Sequence, residues 1–293
     1  MSGLGPTSHR YFSQGLRLHY VDWGNDAAPP LILVHGGNDH CRSWDWVAQA
    51  LCDRFHVIAL DLRGHGDSDH APGSHYPTHS FVLDLAQLIA QRQLAPVNIL
   101  AHSWGGAVST IYAGTYPENV ARLMVIEGWG PSPAMEATQA GLAPHERLRQ
   151  WIENTRAVAH KRPPRYAGIE ECVTRMKAAN TRLTDEQARH LTVHAATQNE
   201  DGTYSWKYDP YVRVLAPIWH GSAEMAGFWG RIACPVLLVR GTESWAVDPV
   251  GTGRAAHFKD VRVEALERAG HWVHHDRLET VIELAEAFFP HAQ

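Results

Sequence analysis

The sequence predicts an α/β protein: a mostly parallel sheet with helices on both faces, broken once by a helical insertion. Three observations carry this. Short apolar runs alternate with amphipathic stretches of helical spacing over residues 16–128, and the same rhythm resumes from residue 234. The runs are apolar throughout rather than at every second residue, which marks strands covered on both faces. Residues 131 to about 230 hold helical stretches but no convincing buried strand, so an insertion separates two parts of one sheet.

In chain order, "LRLHYVDWG" (16–24) alternates as a strand, and "PLILVHGG" (30–37) reads as a buried strand ended by glycines. "SWDWVAQALCDR" (43–54) has helical spacing. "FHVIALDLRGHGDSD" (55–69) is a second buried strand running into a Gly- and Asp-rich loop. After the helix "THSFVLDLAQLIAQRQL" (78–94) come the strand "VNILAHS", the helix "WGGAVSTIYAGTYPE" and the strand "VARLMVIEG" (120–128). The insertion carries the helical stretches "HERLRQWIENTRAVAH" and "TDEQARHLTVHAATQ", with tryptophans at 151, 206, 219 and 229. "CPVLLVRG" (234–241), "VRVEALERAGHW" (261–272) and a helix over 278–289 complete the pattern. Residues 1–130 and 231–293 therefore form the expected core, and 131–230 the insertion.

Composition narrows the class. The chain has 293 residues, 44% hydrophobic and 19% charged, and a net charge of -5, which gives no reason to expect a nucleic-acid partner. Its longest apolar runs are too short to span a bilayer, and "MSGLGPTSHRYFSQG" lacks the apolar core of a secretory signal, so a cytoplasmic location without membrane attachment is expected. Cys41, Cys52, Cys172 and Cys234 are scattered and fit reduced thiols. Twenty histidines are many for this length. His75 and His79, and His271 and His275, have four-residue spacing, but neither pair encloses the Glu that the zinc motif needs. Apart from His271, the histidines of the two clusters (His70, His75, His79 and His274, His275) are expected to be solvated surface residues.

One stretch asks for chemistry. In "NILAHSWGGAV" (98–108), Ser103 stands between Ala101 and Gly105, after an apolar run and before a helix. Small residues at both flanks matter where a strand turns so sharply into a helix that larger side chains would collide. Such a turn exposes the serine hydroxyl at its apex, the setting of a nucleophile elbow. The strict motif has glycine where Ala101 stands, and the steric requirement is smallness.

Taken in order, "HGG" (35–37), "DLRGHGDSD" (61–69), "AHSWGG" (101–106) and "RAGHW" (268–272) resemble the motifs of the α/β-hydrolase family over nearly the full chain. "HGGNDHCRSWDWV" and "SWKYDP" look most like a branch of serine hydrolases with a helical cap. The resemblance implies an eight-stranded α/β-hydrolase fold, with 131–230 as the cap and no cofactor or metal. Serine is a poor nucleophile without a base, and His271 in "AGHWV" is placed to serve as one. The imidazole in turn needs a carboxylate. The family commonly keeps an Asp three residues beyond the glycine of "RGTESWAVDP", but Ser244 stands there. Glu127, closing "MVIEG" at the sheet edge, is the preferred acid, ahead of Glu243 and then Asp248. For the oxyanion hole the expected donors are the backbone N–H groups of Trp104 and Gly37, the latter because a missing side chain lets its backbone come close. His35, Arg63 and His65 read as structural.

A serine nucleophile removes epoxide and haloalkane chemistry and leaves acyl transfer to water. Trp129, Trp245 and Trp272, on sheet-edge loops, are expected to line a roomy aromatic pocket for a large apolar ester or lactone, macrocycles included. Two other readings share the same residues: a receptor that binds and slowly turns over a signalling lactone, and a carbon–carbon bond hydrolase. The expected partner is the small-molecule substrate, on a monomer or homodimer.

Overall fold

The computed structural model describes residues 5–218 and 220–289; residues 1–4, Trp219 and residues 290–293 lie outside that range. Ten strands form: β1 (Thr7–Ser13), β2 (Leu16–Asp22), β3 (Pro30–Val34), β4 (His56–Leu60), β5 (Val97–His102), β6 (Val120–Ile126), β7 (Ala196–Gln198), β8 (Tyr204–Trp206), β9 (Val236–Gly241) and β10 (Val261–Leu266). Eight of them make one sheet in the order β1-β2-β4-β3-β5-β6-β9-β10, and β7 and β8 form a separate hairpin. The pairs β1–β2 and β2–β4 are antiparallel, and every other pair in the large sheet is parallel. This is an α/β-hydrolase fold.

The helices are α1 (Asp45–Leu51), α2 (Thr78–Gln91), α3 (Trp104–Thr115), α4 (Pro133–Ala140), α5 (Pro144–Ala159), α6 (Ile169–Ala179), α7 (Asp185–Ala195), α8 (Ser222–Trp229), α9 (Val273–Asp276) and α10 (Leu278–Phe288). None of the described helices is long and apolar enough to cross a membrane.

The wholly apolar strands are explained by two cores, one on each face. Successive side chains of a strand point to opposite faces. Ile32, Val34, Ile99, Ala101, Leu123 and Val125 accordingly join one core with Leu85 and Leu88 of α2, Val108 of α3 and Met225 and Trp229 of α8. Their neighbours Leu31, Leu33, Leu100, Met124 and Ile126 join the other with Trp44, Val47 and Leu51 near α1 and Val281 and Ala285 of α10. Polar alternation would leave one face without a partner.

Three departures from the sequence reading have local causes. β1 carries "TSHRYFS", whose burial is mostly exposed except at Tyr11 and Ser13; an edge strand with so little apolar content gives no periodic signal. The β7–β8 hairpin lies within the region read as helical, and its three-residue strands are too short to register. Helix α8 falls inside the expected insertion, yet it packs on α3. Phe228 O stands 2.4 Å from where a Cβ at Gly114 would be, so glycine is required for that approach. Between α4 and β8, Leu183 on the link before α7 and Ala188 and Leu191 of α7 form a small cluster against Trp46 and against Val173 and Met176 of α6, while α5 buries no residue.

Candidate active site

Ser103 sits at the junction of β5 and α3 with φ 51° and ψ -120°, a conformation that costs a non-glycine residue about 1–3 kcal/mol. Its neighbours enforce the turn. A Cβ at Gly105 would lie 2.4 Å from His35 O and 2.6 Å from Val34 O, and one at Gly128 would lie 2.2 Å from Ser103 O. Ser103 N–H donates to Ile126 O at 2.8 Å, so the sheet ladder holds the residue one step past the strand.

One strand over, Glu127 repeats the arrangement. Its φ is 59°, and its N–H donates to Val239 O at 3.0 Å. The side chain is wholly buried, and such a carboxylate needs partners. Oε1 accepts from Gly241 N–H at 2.6 Å, and Oε2 accepts from Ser244 Oγ at 2.5 Å. Oε2 also lies 3.3 Å from His271 Nδ1, and His271 Nε2 lies 2.9 Å from Ser103 Oγ. An ionised carboxylate only accepts, so Nδ1 carries the proton and Nε2 presents its lone pair to the serine hydroxyl. Serine, histidine and glutamate thus form one hydrogen-bonded chain.

The other two acids lie elsewhere. Glu243 is exposed and pairs with Arg182, while Asp248 pairs with Arg240 at 3.0 Å and accepts from Val250 N–H at 2.9 Å. Ser244 stands in the position where the family commonly keeps its acid, and its hydroxyl clamps Glu127 instead. In the sequence Ser244 reads only as a departure from the family pattern. Nothing in the sequence signals that bond, because it joins residues 117 apart.

Trp104 is the first residue of α3, so its N–H has no partner inside the helix. Gly37 lies on the loop after β3, with open space around it: a Cβ there would meet no protein atom within 4 Å. Within the protein the bare backbone is needed at its neighbour Gly36, where a Cβ would meet His102 Nδ1 at 2.9 Å and Ser103 Cβ at 3.0 Å. His35 braces the loop, its Nδ1–H donating to Gly36 O at 2.6 Å and its Nε2 accepting from Leu62 N–H at 3.0 Å. Burial holds its imidazole down at about 4. Arg63 makes a bidentate pair with buried Asp84 at 2.6 and 2.7 Å, and His65 Nδ1–H donates to Arg63 O at 2.9 Å.

Ser103 opens on two adjoining cavities. One, of about 260 Å³, is lined largely by apolar side chains: Trp104, Ile111, Trp129, Met135, Met225 and Val247. The other, of about 450 Å³, is lined by Gly37, Asn38, Phe81, Arg213, His271 and Trp272. Trp245 lines both, and its ring centroid is 4.4 Å from that of His271. Of the insertion tryptophans, Trp229 is wholly buried against Phe258, and Trp206 donates to Tyr166 Oη at 3.1 Å.

The histidine expectation needs correction. His70, His75 and His79 are exposed, but His274 and His275 are 1% and 6% exposed. They lie on the single turn α9, and packing against Trp44, Trp46 and His102 carries them inside. His102 itself is buried, with Nε2–H donating to His271 O at 2.9 Å. That bond ties the loop carrying His271 to the end of β5.

A strained serine at the C-terminal end of β5, joined to a histidine and a buried glutamate, has the geometry that a nucleophile, base and acid would need. A sequence profile described as the α/β hydrolase fold matches residues 29–164, in agreement with the fold described above. Serine hydrolase-like protein 2 from Homo sapiens is 28% identical over 63% of this chain, a match that spans 60% of the human protein's own length. An esterase from Mycobacterium tuberculosis is 27% identical, over 89% of this chain and 83% of that protein. Among solved structures, a thioesterase domain from the curacin biosynthetic pathway superposes with a TM-score of 0.86, covering 97% of this chain and 100% of the domain at 20% identity. That likeness is one of fold.

Proposed function

We propose that the protein is a serine hydrolase that cleaves carboxylic esters with an apolar acyl group through an acyl-enzyme on Ser103. The observation that carries this reading is the Ser103–His271–Glu127 chain at 2.9 and 3.3 Å. His271 Nε2 takes the hydroxyl proton as Oγ attacks the ester carbonyl, and Glu127 stabilises the imidazolium that forms. The N–H groups of Trp104 and Gly37 receive the developing oxyanion. As the tetrahedral adduct collapses, His271 gives the proton to the departing alkoxide. Water, deprotonated by the same histidine, then attacks the acyl-enzyme and restores Ser103.

The apolar cavity beside Ser103 supports an apolar acyl group, with Trp129 and Trp245 in its walls and Trp272 at the neighbouring opening. It carries no feature particular to a lactone or a macrocycle. The test is a serine-directed fluorophosphonate together with a panel of p-nitrophenyl esters of rising chain length. The probe's mass should appear on the peptide containing Ser103, Ser103→Ala should abolish turnover, and medium-chain esters should be preferred. Labelling elsewhere with an active Ser103→Ala variant would overturn the mechanism, and a single slow turnover would favour the receptor reading.

A further inference from the structure

Four groups of His, Cys, Asp or Glu side chains lie close enough among the described residues to hold a cation. In three of them an aspartate is already bonded to a histidine or an arginine. His19 Nδ1 bonds Asp61 at 2.6 Å, His56 Nε2 bonds Asp22 at 3.1 Å, and Asp45 is held by Arg42 at 2.6 Å and by His190 at 3.1 Å. The fourth differs. Asp39, His102 and His274 each place one ligand atom within 4.8 Å of the others. His102 Nδ1 and both ring nitrogens of His274 are buried with no hydrogen-bond partner, although both residues are only 1% exposed.

From this we infer that Asp39, His102 and His274 form a binding site for one divalent first-row transition-metal ion, behind His271. The donor set, two imidazoles and a carboxylate, suits such an ion better than a hard cation, which prefers oxygen alone. The tautomer of His102 is fixed for it: Nε2–H is spent on His271 O, so Nδ1 is left as a buried lone pair without a donor. Gly36 leaves that nitrogen uncovered, since a Cβ there would stand 2.9 Å from it. Asp39 supplies the route in. It is half-buried and lines a cavity of about 550 Å³ that includes Asn38, His40 and His275. Ligands of a tetrahedral ion with bonds of about 2.1 Å stand about 3.4 Å apart, so the carboxylate closes inward on binding, exchanging its bonds from His40 N–H and Ser43 Oγ, both 2.9 Å. The open fourth position falls to water.

Metal-stripped protein, equilibrated with Zn²⁺ and dialysed, should retain one equivalent by elemental mass spectrometry, and Co²⁺ should give the visible bands of a four-coordinate site. His274→Phe keeps the ring that stacks on Trp44 but removes the ligand, so affinity should fall by about tenfold or more and the Co²⁺ bands should vanish. Asp39→Asn, which keeps the size of a half-buried side chain, should also weaken binding and serves if His274→Phe does not fold. His271→Ala should bind as wild type. Wild-type protein that retains no stoichiometric ion, or variants at 39 and 274 that bind unchanged, would overturn the site. So would loss of binding in His271→Ala, which would place the ion on the serine–histidine pair instead.

Discussion

At the scale of single residues, the site turns on Glu127 and what holds it. Glu127 has three donors around it, from Gly241, Ser244 and His271, which is why a carboxylate survives with no exposed surface. Removing the charge while keeping the shape can cost a triad about 10⁴ in turnover. Glu127→Gln is therefore expected to approach that loss with its melting temperature nearly unchanged. Glu243→Gln, which gives up only an exposed pair with Arg182, should lose less than a factor of about 30, or ~2 kcal/mol. Steady-state kinetics of the two variants decides between the acids. Ser244→Ala removes a hydrogen bond to a charged acceptor, worth about 1.5–3 kcal/mol. It should lower kcat by about tenfold or more while KM changes little; an unchanged kcat would mean that Ser244 has no part in positioning Glu127.

At the scale of elements, the placement of Ser103, the proposed nucleophile, depends on how closely α3 can follow β5. Gly105 lies against the carbonyls of Val34 and His35 at the end of β3, so any side chain there must push the turn away from the neighbouring strand. Gly105→Ala should cost at least about 1–3 kcal/mol of stability, the ordinary price of overpacking a tight core, and should misplace Ser103. Gly37→Ala makes the opposite case. The added methyl meets no protein atom, so its unfolding midpoint should stay within about 0.5 kcal/mol of wild type. If its turnover falls nonetheless, the methyl is meeting substrate. Equal destabilisation of the two variants in denaturant titrations would contradict this account of the elbow.

Across the whole molecule, the histidines set the response to acid. Burial lowers His35, His40 and His194 to about 4, and His65 and His275 to about 3. His102 and His274 are also pushed well below the ordinary value. In the unfolded chain these groups titrate near ~6.5. Between about pH 6.5 and 4 the unfolded state therefore binds more protons than the native one, and stability falls as pH falls. His56, raised by its bond to Asp22, opposes the trend, as do Asp39, raised by burial to about 7, and Asp84 and Asp276, also raised by burial; the seven lowered histidines outnumber these four groups. Asp61 continues the loss at lower pH, because its folded value is held below the usual carboxylate range by the bond from His19, which outweighs burial with the help of its other partners. Denaturant titrations should show net uptake of at least about two protons on unfolding near pH 5. Stability that is flat from pH 7 to 5 would mean the buried imidazoles are already protonated.

The sequence by itself determined the sheet apart from β1, the two-sided core and the elbow, because these rest on local and periodic signals. Apolar runs without alternation require cover on both faces, and small residues around Ser103 require a sharp turn. It also narrowed the acid to three residues. Only the tertiary structure brought Glu127, Ser244 and Gly241 together and sent Glu243 out to Arg182, since those distances depend on the register of β6 against β9. It likewise decided that His274 and His275 are inside. A short run of polar residues carries no periodicity of its own, and its burial is fixed by the tryptophans and by His102, which chain folding brings against it. Local chemistry is written in neighbouring residues; partnership across 100 residues or more is written only in the packed sheet.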